Sequence, residues 1–131
     1  MNIFEFQKIV EKVVKNLPHE FANAIENVDI SSEFYPEDYQ LTKMHMEHKN
    51  GMYLLGLYEG TPLTKRANYT DAIPDKITIF MLPLIRISKD LIQLEKNIES
   101  TVIHEVGHHF GLTEKEIREA EKKRRENNLV K

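Results

Sequence analysis

Between residues 90 and 110, apolar side chains recur with a helical period, and this stretch constrains the fold more than any other. Leu91, Ile92, Leu94, Ile98, Val102, Ile103, Val106 and Phe110 return every three or four residues. The period admits one helix or two, with a break near residues 97–100, and Ser88 can cap its start. Gly111 stands where helices commonly end. Thr113-Glu114-Lys115-Glu116 then reads as a capping box and predicts a last helix over about 114–127. A first amphipathic helix is predicted over 3–17, where Ile3, Phe6, Ile9, Val10, Val13, Val14 and Leu17 share a face and Pro18 follows.

The strand signals lie between these helices. Residues 77–81, Ile-Thr-Ile-Phe-Met, have the highest β-branched content. Residues 53–59 predict a second strand, closed by Gly60 and Pro62, and residues 28–30 a brief third. Phe21, Ile25 and Val28 suggest a short element after Pro18. From 31 to 52 the chain is polar and without period, and Pro36, Glu33, Glu37, Asp38 and Asn50-Gly51 predict a long loop. A segment of that kind is expected to be mobile and to cover a cleft. Residues 61–76 read as a second loop. The order helix, strands, helices predicts an α+β fold, with helices packed against a small mixed sheet.

Composition narrows the classes of function. At 131 residues the chain is expected to form a single domain, 1–131. It has no cysteine, which removes disulfides, thiolate ligands and cysteine nucleophiles and predicts a reducing, cytoplasmic setting. A net charge of −3 gives no basic field for a polyanion. The longest uncharged apolar run, 77–85, is too short to span a bilayer and contains Pro83. Glu5 and Glu11 interrupt the N-terminal stretch, so no signal peptide is expected.

The stretch 90–110 also contains His104-Glu105-Val106-Gly107-His108, the pattern H-E-x-x-H. On a helix His104 and His108 stand one turn apart on one face, and two imidazoles so placed can bind one zinc ion at about 2.0–2.1 Å. Glu105 is rotated to the side of the metal, where it can accept a proton from water and return it to a leaving amine. Context strengthens the pattern. Gly111 follows His108 by three residues and lets the chain turn back, bringing position 114 toward the metal. That position holds Glu114, an acceptable third zinc ligand. Alternatives for the third ligand are Glu116, Glu119, Glu121 and Glu126 on the following helix.

Three segments carry a family resemblance: Leu54-Leu-Gly-Leu-Tyr-Glu-Gly-Thr-Pro-Leu-Thr-Lys-Arg66, Pro74-Asp-Lys-Ile-Thr-Ile-Phe80 and His104-Glu-Val-Gly-His-His-Phe-Gly-Leu-Thr-Glu114. On these residues the chain resembles the small bacterial minimal zincins, zinc metallopeptidases formerly classed as a domain of unknown function. The similarity runs from the first helix to about residue 118, with no counterpart for residues 33–49. It implies a compact zincin core with the metal motif on a central helix. That family usually has aspartate at the place of Glu114, so this chain keeps the carboxylate on a longer arm. The resemblance assigns no substrate.

Other residues weigh less. His109 is expected to face away from the two ligating histidines, as a buried histidine or as a support for them. His45 and His48 are expected to be solvent-exposed. Tyr58, Tyr69 and Arg66 are candidate donors to a developing oxyanion, and Lys122-Lys-Arg-Arg125 reads as a solvated face. The strand 77–81 is a candidate edge for pairing with an extended peptide.

These readings converge on a zinc-dependent metallopeptidase that hydrolyses peptide bonds. One Zn2+ per chain is expected on His104, His108 and Glu114, although such sites also take other divalent metals. Glu105 is the expected general base. A peptide or protein substrate is expected, with no nucleic acid, no membrane and a monomeric chain. Two rivals remain: a metal-dependent ribonuclease, against which Glu105 and the acidic balance argue, and a non-catalytic zinc-binding or regulatory module.

Overall fold

Strand β3 (Asp75–Phe80) grows from the most β-branched run of the sequence, and it occupies the centre of a three-stranded sheet ordered β1-β3-β2. The computed structural model describes residues 1–18, 21, 25, 27–60 and 75–130, the side chains of 124–130 excepted. Strand β1 (Val28–Glu33) pairs with β3 in parallel, Ile30 opposite Ile77. Strand β2 (Gly56–Glu59) pairs with it antiparallel, Leu57 opposite Thr78. The sheet is therefore mixed, and β2 forms its edge among the described residues.

Alternation along β3 sends its side chains to two apolar clusters. Ile77 and Ile79 face helices α1 (Ile3–Lys15) and α4 (Leu91–His109), joining Phe6, Val10 and Val13 of the first and Leu94, Ile98, Val102 and Val106 of the second. Phe80 joins Leu41, Leu54 and Leu57 in a smaller cluster. Helix α4 is unbroken, with no interruption at 97–100. Its N-cap is Asp90, whose side chain accepts from the Gln93 N–H, and not Ser88, whose hydroxyl donates to the Leu84 carbonyl.

Several elements differ from the sequence expectation. The polar stretch 31–52 is not one long loop: β1 extends to Glu33, helix α2 covers Asp38–Lys43, and a 3-10 helix covers His48–Tyr53. Helix α2 is specified at both ends. Glu37 and Gln40 form a capping box at its start. At its end His45 takes a left-handed conformation (φ 56°), the His45 N–H bonds to Thr42 and the Met46 N–H to Leu41. Met46 then packs on the cluster that holds Leu41, completing a Schellman closure. The 77–85 apolar run divides between β3 and a short helix α3 (Met81–Arg86), which holds Pro83 in its first turn where proline is tolerated. Helix α1 stops at Lys15, and the final helix α5 covers Glu114–Val130. Candidate residues Arg66 and Tyr69 lie outside the described residues, as does most of the 61–76 stretch.

Leu41 is 2% exposed and holds α2 on the sheet. Leu41→Ala is expected to cost about 2–5 kcal/mol in a denaturant titration. It should also open residues 38–53 to limited proteolysis, while the wild type is cut there slowly.

Candidate metal centre

The motif residues lie on the last two turns of α4, and the turn after them is set locally. Phe110 caps the helix and Gly111 takes φ 87°, a left-handed conformation that costs a side-chain-bearing residue about 1–2 kcal/mol. The Gly111 N–H bonds to the His108 carbonyl at 2.9 Å and the Leu112 N–H to the Gly107 carbonyl at 3.0 Å, a second Schellman closure. Thr113 then starts α5. Its hydroxyl accepts from the Glu116 N–H, and the Glu116 carboxylate accepts from the Thr113 N–H, which is the capping box read from the sequence. Gly107 permits the close approach of the two helices, since a Cβ there would lie 2.8 Å from Ile117 Cγ1.

This turn returns Glu114 to the histidines. Nε2 of His104 and Nε2 of His108 both donate to Glu114 Oε1, at 3.0 and 2.8 Å. The structure thus brings His104, His108 and Glu114 to one point. Ligand atoms sharing a tetrahedral zinc stand roughly 3.4 Å apart, not far from these separations, and the Glu114 side chain is half-exposed. Two imidazole nitrogens and one carboxylate oxygen are a donor set that fits zinc. Glu105 also brings a carboxylate oxygen within 4.8 Å of the imidazole nitrogens. Its Oε1, however, accepts from the Tyr58 N–H at 2.9 Å, which holds the carboxylate toward the edge strand.

Of the alternative ligands, the Glu126 side chain lies outside the described residues, and the others separate clearly. Glu121 Oε1 accepts from His104 Nδ1 at 3.3 Å, on the far side of the ring from Glu114. Seven residues, two helical turns, separate Glu121 from Glu114, and that spacing was the available sequence signal. Glu116 serves the capping box, and Glu119 is exposed. His109 is buried and turned away from the pair, its Nδ1 donating to Asp75 Oδ2 at 2.5 Å. The Tyr58 hydroxyl also donates to Asp75 Oδ2, at 2.8 Å, so the phenol is engaged beside His109 and not with His104 or His108. Sequence reasoning did not single out Asp75, although an acidic residue opening the most apolar strand was its signal. His45 and His48 are exposed, as expected, and His48 pairs with Asp38. The strand 77–81 is central, because β1 covers its other side; among the described residues the edge beside the motif is β2.

The charges of the site are tightly interdependent. Burial lifts the Glu105 carboxyl above the usual range, outweighing the histidines and the Tyr58 N–H, which act in the opposite direction. For His104 burial opposes the charge, yet the bonds to Glu114 and Glu121 and the charge of Glu105 raise it. Burial also opposes ionisation of Glu114, but the two imidazole bonds hold its carboxyl below the usual range.

The family model for zincin-like metallopeptidases matches residues 25–124. A solved structure, of a conserved hypothetical protein from Thermus thermophilus, superposes with a TM-score of 0.54 at 20% identity, over 84% of this chain and 94% of that one. At that identity the likeness concerns the fold. Among curated proteins nothing matches. No helix among the described residues is long and apolar enough to cross a membrane.

The turn at Gly111 gives a direct check. Gly111→Ala is expected to lower stability by about 1–2 kcal/mol in thermal or chemical denaturation. Gly111→Asn, which tolerates the left-handed region better, should lose less.

Proposed function

The chain belongs to the zincin-like metallopeptidase family, and on that premise we propose that it is a zinc-dependent hydrolase of peptide bonds with His104, His108 and Glu114 as metal ligands and Glu105 as general base. The observation that carries this reading is the contact of one Glu114 oxygen with both Nε2 atoms, beside a carboxylate fixed by a different bond. A zinc ion held by these three side chains supplies, when bound, the Lewis acidity that activates water and polarises a carbonyl.

The protein's own residues do the rest. Glu105 accepts the proton of the attacking water and passes it to the leaving nitrogen, a transfer that needs one carboxylate in one orientation throughout. The Tyr58 N–H supplies that orientation by occupying one of its oxygens. Glu121 keeps Nδ1 of His104 as the donor, leaving Nε2 as the metal-binding nitrogen. The edge strand β2 lies against α4, near Thr101 and Glu105, where an extended peptide can add to the sheet. Glu105 also favours this reading over a metal-dependent ribonuclease, and the chain is proposed to work as a single domain on a peptide or protein.

Metal content and turnover test separate parts of the proposal. His104→Ala and His108→Ala should each abolish stoichiometric zinc by elemental analysis, and Glu114→Ala should weaken it by a smaller factor. Glu121→Gln should retain zinc with affinity lowered about 10–100-fold. Zinc retention by Glu114→Ala at wild-type affinity would move the third ligand elsewhere.

Glu105→Gln keeps shape and removes the basic charge. It should hold zinc as the wild type does and cleave a peptide library about 10²–10⁴-fold more slowly. Equal cleavage by the two proteins would defeat the mechanism and favour a structural zinc site.

A further inference from the structure

We propose that the cleft beside the motif selects peptides with one large apolar side chain next to the bond to be cut. This rests on the hydrolase reading above and adds to it a class of substrate. A cavity of about 590 Å³ opens directly from the candidate centre, sharing Glu105, His108 and Glu114 with it. Ligand pockets run to about 300–1,000 Å³, so this volume accommodates a bulky side chain with part of its backbone.

The chemistry of the wall gives the preference. Away from the motif the cavity is lined by Met44, Leu54, Leu57 and Leu112. Leu54 and Leu57 belong to the apolar cluster around Phe80, which fixes their positions. Met44 is 44% exposed and flexible, suited to follow side chains of different shape. Its backbone is placed by the Met44 N–H, which bonds to the Gln40 and Leu41 carbonyls at the end of α2. Gly56 and Tyr58 bring the edge strand along the same cavity, so a peptide paired with β2 would carry a side chain into it.

The charge of the cleft excludes the opposite class. The only charged side chains among the described lining residues are the carboxylates Glu105 and Glu114, with His108 between them. An acidic side chain packed against Met44, Leu54, Leu57 and Leu112 would lose its hydration and meet no Lys or Arg among the described lining residues.

The test uses zinc-loaded full-length protein and three dipeptide hydroxamates that differ only in the side chain beside the metal-binding group: isobutyl, hydrogen or carboxymethyl. Hydroxamates bind zinc directly, so calorimetric affinity reports the cavity without turnover. The isobutyl compound should bind at least about tenfold tighter than the hydrogen compound, and the carboxymethyl compound weakest. Met44→Glu, a change at an exposed position, should cut the isobutyl advantage severalfold with zinc content unchanged. Leu112→Ala should cut it as well. Equal affinity for the isobutyl and hydrogen compounds, or an advantage unmoved in both variants, would overturn the apolar subsite and leave the hydrolase reading standing. Failure of all three to bind the zinc-loaded protein would overturn the hydrolase reading, and the subsite with it.

Discussion

The buried carboxylate of Asp75 ties together the three elements on which the site is built. It is 2% exposed, and a charge so placed is tolerated only when its oxygens are hydrogen-bonded. His109 supplies one donor from the last turn of α4 and Tyr58 another from β2, while Asp75 itself opens β3. Removing either donor would leave a desolvated carboxylate, so the helix end and the two strands are held in one relative position. Tyr58 then does something further with its backbone: its N–H fixes Glu105. The side chain that closes the buried cluster and the amide that orients Glu105 belong to one residue. The height of the edge strand above the helix and the direction of the Glu105 carboxylate are therefore a single constraint.

The return of Glu114 to the histidines was legible in the sequence because the turn that produces it is local. The helical spacing of the two histidines, the left-handed Gly111 and the Thr113–Glu116 capping box each span a few residues, and together they return Glu114 to the imidazoles. None of these steps needs a distant contact. The α+β class was legible for a similar reason, since the helical period of α1 and α4 and the β-branched content of β3 are strong local signals. Glu121 was only half legible. Its place on the right helix could be read, but whether it met a metal or the back of a histidine ring depended on the angle between α4 and α5.

Residues 31–52 were misread because periodicity needs a window longer than the elements there. Helix α2 has six residues and one fully apolar anchor, Leu41, too few to generate a period. Its C-terminal closure uses histidine in a conformation usually given to glycine, so the stop signal was hidden as well. The sheet order was hidden by distance. Strand β1 reaches β3 across more than 40 residues of sequence, and that parallel pairing moves 75–80 from the edge to the centre and leaves β2, among the described residues, as the edge beside the motif.

These two kinds of legibility correspond to two physically separate parts of the site. The proposed metal ligands lie within eleven consecutive residues and are arranged by helix ends. The wall of the cleft is supplied mainly by 44–57, which is fixed by the cluster around Phe80 and by the ion pair of Lys43 with Glu59. Side chains of 44–57 in the wall can change without disturbing the turn that presents Glu114, whereas Leu112 belongs to both. The coupling between the parts runs through Tyr58, which lines the cavity and whose N–H holds Glu105. A peptide that pairs with β2 would thus lie against the same residue that orients the proposed base, so that filling the cleft and aligning the carboxylate depend on one short strand.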